Sequence, residues 1–104
     1  MMRAGDLDRT ISLLRRNATR NSVGEEIVSW PTTATVAASK WNLSEKDVAR
    51  QQGIATQAEG KFLIRWREGV TTKMRLRFEG NDYDIVAIEE VGRRRGLFIF
   101  VRGA

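Results

Sequence analysis

The sequence predicts a mainly β chain: a small β-barrel or sandwich of about six strands, with one short helix in an insertion between the second and third strands. Three observations carry this prediction. From Glu59 to Ile88 apolar and charged side chains alternate with the period of two that a half-buried sheet imposes. Leu97–Val101 is a continuous apolar run of strand length, as expected of a strand covered on both faces. Only the stretch from Ser44 to Gly53 has helical character, so the many short strands must make the core.

In chain order, residues 1–8 read as an N-terminal arm, followed by a strand near 9–15 that turns Ile11 and Leu13 inward and Leu14 outward. Asn17, Thr19, Asn21, Ser22 and Gly24 are turn formers without apolar periodicity, which makes Arg16–Glu25 a long hairpin loop. One bent strand follows near 27–38, with Val28, Trp30 and Val36 inward and a bulge or edge at Pro31, which lacks a ladder donor. Trp41 and Leu43 are expected as packing anchors at its far end.

Ser44 is placed to cap a helix within 44–54, Asp47 to reach back to the cap, and Glu45 to favour the positive end of the helix. Val48 and Ala49 are nearly all its apolar content, so the helix should lie on the surface with Lys46, Arg50, Gln51 and Gln52 facing water or a partner. A loop over 54–59 leads into a meander with strands near 60–67, 73–79 and 82–90. Phe62, Ile64, Trp66, Leu76, Phe78 and Ile85 point to its core face. Lys61, Arg65, Arg67, Lys73, Arg75 and Arg77 point to the outer face, and Gly80-Asn81 is the predicted two-residue turn. Gly92 and Gly96 bracket the turn Arg93-Arg94-Arg95 before the last strand, near 97–102, which adds Leu97 and Ile99 to the core.

The 104 residues fit one domain. The chain has no cysteine and no histidine, which removes disulfides, thiolate and imidazole metal sites, and the usual acid–base group of neutral pH. No enzyme and no cofactor are expected. Eighteen basic against thirteen acidic residues leave a net charge of +5, which suits a polyanionic partner and also an ordinary basic protein. No apolar run reaches the roughly 18 residues of a membrane span, and the N-terminus lacks the apolar stretch of a signal peptide, so no membrane association and a cytoplasmic site of synthesis are expected.

Arginine forks on the turn Arg93–Arg95 match phosphates or carboxylates, although a solvated hairpin tip would look the same. The aromatic residues of the meander face away from its arginines, which disfavours base stacking. Asp82 and Asp84 have no nucleophile or base beside them in sequence and are expected to meet arginines of a neighbouring strand or subunit.

Ala4-Gly5-Asp6-Leu7 with Arg9-Thr10-Ile11, Gly24-Glu25 before Val28-Ser29-Trp30, and Ala34-Thr35-Val36 resemble the tailed-phage head–tail joining proteins, also called head-completion or stopper proteins. So do Phe62-Leu63-Ile64-Arg65-Trp66-Arg67-Glu68-Gly69-Val70, Met74-Arg75-Leu76, Gly80, Tyr83-Asp84-Ile85 and the arginine-rich turn. Ala37, in place of an aromatic, and Trp41-Asn42, in place of Glu-Pro, depart from that pattern. The resemblance implies a single head–tail joining domain over 1–104, with a helix-bearing insertion at 43–58. It further implies a virion protein, assembled in the host cytoplasm, that forms a ring between portal and tail, retains the packaged double-stranded DNA and docks the tail. Its partners would be other copies of itself, a portal or adaptor ring, a tail protein and the DNA in the channel. Lys46, Arg50, Gln51, Gln52, Arg93, Arg94 and Arg95 are the expected interface residues. A small basic nucleic-acid-binding barrel of the OB or SH3-like kind is the alternative.

Overall fold

The computed structural model describes residues 7–50 and 58–104, with Arg50 described by its backbone alone. Among these the order is β1 (Arg9–Leu14), β2 (Asn17–Arg20), β3 (Glu26–Ser29), β4 (Thr32–Trp41), α1 (Glu45–Arg50), β5 (Gly60–Arg65), β6 (Arg75–Phe78), β7 (Asn81–Val91) and β8 (Gly96–Gly103). Six strands close into an antiparallel barrel in the order β1-β4-β5-β8-β7-β6, and β1 shuts it by pairing with β4 on one side and β6 on the other. The expected mainly β barrel with one short helix is what forms.

A barrel this narrow is filled by side chains. Alternate residues of every barrel strand do so: Ile11 and Leu13, Ala38, Phe62 and Ile64, Leu76 and Phe78, Ile85, and Leu97, Ile99 and Val101 form one cluster with Met74. Val36, Trp66, Tyr83 and Ile88 pack against it from partly exposed positions. Phe62 and Phe78 meet edge to face at 5.1 Å. Two bulges adjust the alternation. Thr33 is extra opposite the Leu13–Leu14 step, and both leucines are buried, so Leu14 does not face outward as its parity predicts. Val86 is extra opposite β8, which lets Ile85 and Ile88, three apart, both pack on the core.

The expected loop at 16–25 is instead half of a two-stranded ribbon, β2–β3, which stands outside the barrel with every strand residue exposed. Val28 therefore is not a core residue, being 41% exposed. Trp30 is half-buried beneath the Arg75 guanidinium, 4.2 Å from its ring centre. The single strand expected over 27–38 is broken at Trp30-Pro31, because the ribbon turns away there while the Pro31 carbonyl accepts from the Arg15 amide. The ribbon and this break put the helix between the fourth and fifth strands rather than the second and third.

Phe78 and Asn81 are paired, so the tight turn is Glu79-Gly80, one residue earlier than predicted. Both have positive φ, 51° and 79°, as the primed turn of a twisted hairpin requires. The loop expected at 54–59 lies outside the described residues up to position 57.

Candidate docking surfaces

Among the described residues, Lys46 and Arg50 on the helix and the turn Arg93–Arg95 lie at opposite ends of the barrel. α1 lies in the connection from the end of β4 to the start of β5, whereas the arginine turn joins the end of β7 to the start of β8. Since β5 ends beside the start of β8, the six residues of β5 hold the two surfaces roughly 20 Å apart.

At the helix end, the Ser44 hydroxyl accepts from the Asp47 amide at 3.1 Å, and the Asp47 carboxylate accepts from the Ser44 amide at 3.0 Å, a reciprocal cap as the sequence predicts. The same carboxylate accepts from the Lys61 ammonium at 2.7 Å, with both side chains about nine-tenths buried. Lys61 thus does not belong to the solvated basic face. Its ammonium lies 4.3 Å from the Phe98 ring centre and 5.5 Å from that of Phe100, and Trp41 closes edge to face on Phe98 at 5.4 Å. The hydrogen bond from Lys61, then those from Ser44, hold the Asp47 carboxyl well below its ordinary value, at about 2. The helix is therefore fastened by an ion pair while Val48 stays 55% exposed. Lys46 is exposed on α1, and Arg50 is its last residue. Gln51 and Gln52 lie outside the described residues.

At the other end, Gly92 and Arg94 take positive φ, 63° and 54°, to turn the chain within four residues. The Trp66 amide donates to the Arg95 carbonyl at 3.2 Å. The Arg94 guanidinium folds back to 4.9 Å from the Trp66 ring centre, and the Trp66 indole donates to Glu90 at 3.1 Å. Arg93 and Arg95 remain exposed. One arginine of the three is thus spent on packing the turn.

The meander's acidic residues meet neighbouring-strand arginines, as expected: Arg77 donates to Asp82 at 2.7 Å and Arg75 to Asp84 at 3.1 Å. The first pair lowers the Asp82 carboxyl below its ordinary value.

Sequence reasoning missed the ribbon. Its tip is an Asx turn, the Asn21 side-chain oxygen accepting from the amides of Val23 and Glu25, with Gly24 at φ 84°. Val23, Ile27 and Val28 are 73%, 48% and 41% exposed on it. The turn formers Asn21, Ser22 and Gly24 were legible, but Asn17–Arg20 and Glu26–Ser29 on either side of them carry no apolar period. Where the ribbon leaves the barrel, a cleft of about 740 Å³ opens between Arg15, Arg16 and Thr33 on one side and Thr71, Lys73 and Met74 on the other.

The family model described as phage head completion protein matches residues 2–103. A solution structure of protein SF1141 from Shigella flexneri 2a superposes with a TM-score of 0.79 at 22% identity, over 98% of this chain and 96% of that one. A chain in the virion of a native gene transfer agent particle superposes with a TM-score of 0.61 at 17% identity, over 93% and 94%. Both share the fold. No curated protein matches the chain.

Proposed function

Because this chain belongs to the phage head completion protein family, we propose that it is a structural virion protein that forms a ring connector between portal complex and tail, retaining packaged DNA and docking the tail. The observation that carries this reading is the family match over nearly the whole chain. The surface supports it: a closed barrel holds up two unlike projections, a polar-latched helix at one end and a ribbon beside an arginine turn at the other. A subunit held between unlike neighbours needs two unlike faces, and head-to-tail contacts between copies make a ring where their rotation closes. Lys46, Arg50, Gln51 and Gln52 would serve the contact at the helix end, and Arg93, Arg94 and Arg95 the contact at the other. The chain acts by contact and not by catalysis.

The alternative of a nucleic-acid-binding barrel loses support from the rings. Phe78 is buried, Trp66 packs on the core and carries Arg94, and Trp30 carries Arg75 over one face, which leaves these aromatics little open surface for a base. The test is to add purified protein to DNA-filled, tailless heads assembled without it, then measure DNA retention and tail attachment. Restoration of both is expected, with a ring visible at the vertex by electron microscopy. Heads that keep their DNA and take tails equally well without the protein would reject the connector role.

A further inference from the structure

The charge of this molecule is not spread over it. Three connections meet at the end of the barrel away from α1: residues 15–31 with the ribbon, residues 66–74 between β5 and β6, and residues 92–95 between β7 and β8. The first contributes Arg15, Arg16 and Arg20 against Glu25 and Glu26. The second contributes Arg67 and Lys73 against Glu68, and the third Arg93, Arg94 and Arg95 against none. Eight basic residues thus face three acidic ones, a surplus equal to the net +5 of the whole chain.

Few of these cations are satisfied internally. Arg16 pairs with Glu26 at 2.6 Å, Arg20 donates to the Gly24 carbonyl at 2.9 Å and Arg94 stacks on Trp66. Arg15, Arg67, Lys73, Arg93 and Arg95 have no acidic partner among the described residues. The helix end is different: Arg9 lies within 4.0 Å of both Asp8 and Glu79, Lys61 holds Asp47 and Arg77 holds Asp82. Outside the three connections acidic and basic residues balance, so a second copy offers this end no acidic surplus, and two such ends repel each other.

The geometry points to this end, and above all to the cleft at the root of the ribbon, as the docking site for an acidic segment of another protein that also carries apolar side chains. Arg15, Arg16 and Lys73 supply charge at the rim, Thr33 and Thr71 supply hydroxyls, and Met74 lines the cleft with an apolar, adaptable surface. Beside it the ribbon exposes Val23, Ile27 and Val28. A phosphate backbone has no use for such residues, whereas the apolar centre of a protein interface does. That favours a carboxylate-bearing polypeptide over DNA. This deepens the connector reading and rests on it for there being a neighbouring protein to dock.

The test uses the whole chain, isotope-labelled for NMR, titrated with three probes: a peptide of repeating Glu-Glu-Leu, a peptide of repeating Glu-Glu-Ser with equal charge, and a short DNA duplex. Amide shifts are expected to concentrate at Arg15, Arg16 and residues 69–74, with the leucine peptide binding at least about fivefold tighter than the serine peptide. Reversing Arg15, Lys73 and Arg93 to Glu should weaken the leucine peptide at least about tenfold. The same reversal at Arg9, Lys40 and Arg102 should change it less than about threefold. Shifts scattered over the surface, equal losses in the two variants, or tighter binding of the duplex at the same residues would each overturn the proposal. The titration on the parent needs no variant to fold. It also needs no heads, so a failure here is distinct from a failure to restore them.

Discussion

Lys61 shows how far an alternation rule reaches at the scale of one residue. Parity places its side chain on the outer face of β5, which is correct, but parity does not say what covers that face. Here Asp47, brought by a helix 14 positions earlier, and the Phe98 and Phe100 rings cover it. The cap between Ser44 and Asp47 was legible because both partners lie within one turn; the partner of Lys61 was not, because a tertiary contact sets it. Replacing Lys61 by Met should cost about 3–5 kcal/mol in urea unfolding, since Asp47 would stay buried and unpaired. Adding Asp47→Leu should recover most of that loss. Because the Asp47 carboxyl titrates at about 2 when folded, against 3.8 ordinarily, its contribution is complete above about pH 4 and fades as pH falls towards 2. Acid unfolding should therefore begin at α1, followed by the amide signals of Ser44 and Asp47, and the Lys61→Met/Asp47→Leu variant should lack that phase.

At the scale of elements, most barrel strands were legible from period two and the last from its apolar run, whereas the bulge at Val86, which accounts for the odd spacing of Ile85 and Ile88, appears only in the register. The ribbon was not, because its strands bury nothing and so carry no apolar period for the sequence to display. Replacing residues 17–29 with a short glycine-containing link should therefore leave the barrel folded, with a change in stability within about 1 kcal/mol. A larger loss in denaturant unfolding would mean that Trp30 and Arg75 anchor more than the ribbon's pose. In the Glu79-Gly80 turn, both residues sit at positive φ, so Gly80→Ala should cost about 1 kcal/mol while Glu79→Gly should be neutral or stabilising, read from the same transition.

Across the whole molecule, closure joins β1 to β6, strands more than sixty residues apart in sequence. Such distant pairing carries a loop-closure cost before any reward, so refolding should take milliseconds to seconds, as stopped-flow tryptophan fluorescence would record. Ile64, fully buried among strands from both halves of the chain, should cost about 2–5 kcal/mol when cut to Ala. The six-strand count and the core face could be read beforehand because each strand reports its own faces; strand order and the charge imbalance between the two ends could not, because register alone decides them. Closure also determines where this protein is prone to stick to itself. In the barrel each strand has a hydrogen-bonded neighbour on either side, so among the described residues the open backbone edges belong to β2 and β3. Those strands are only four residues long and carry Arg20 and Glu26 among their side chains, the short, charged design that keeps an edge from templating further strands. Exchanging these two charges for valine would turn the ribbon into the seed of a cross-β aggregate while the barrel beneath it stayed intact.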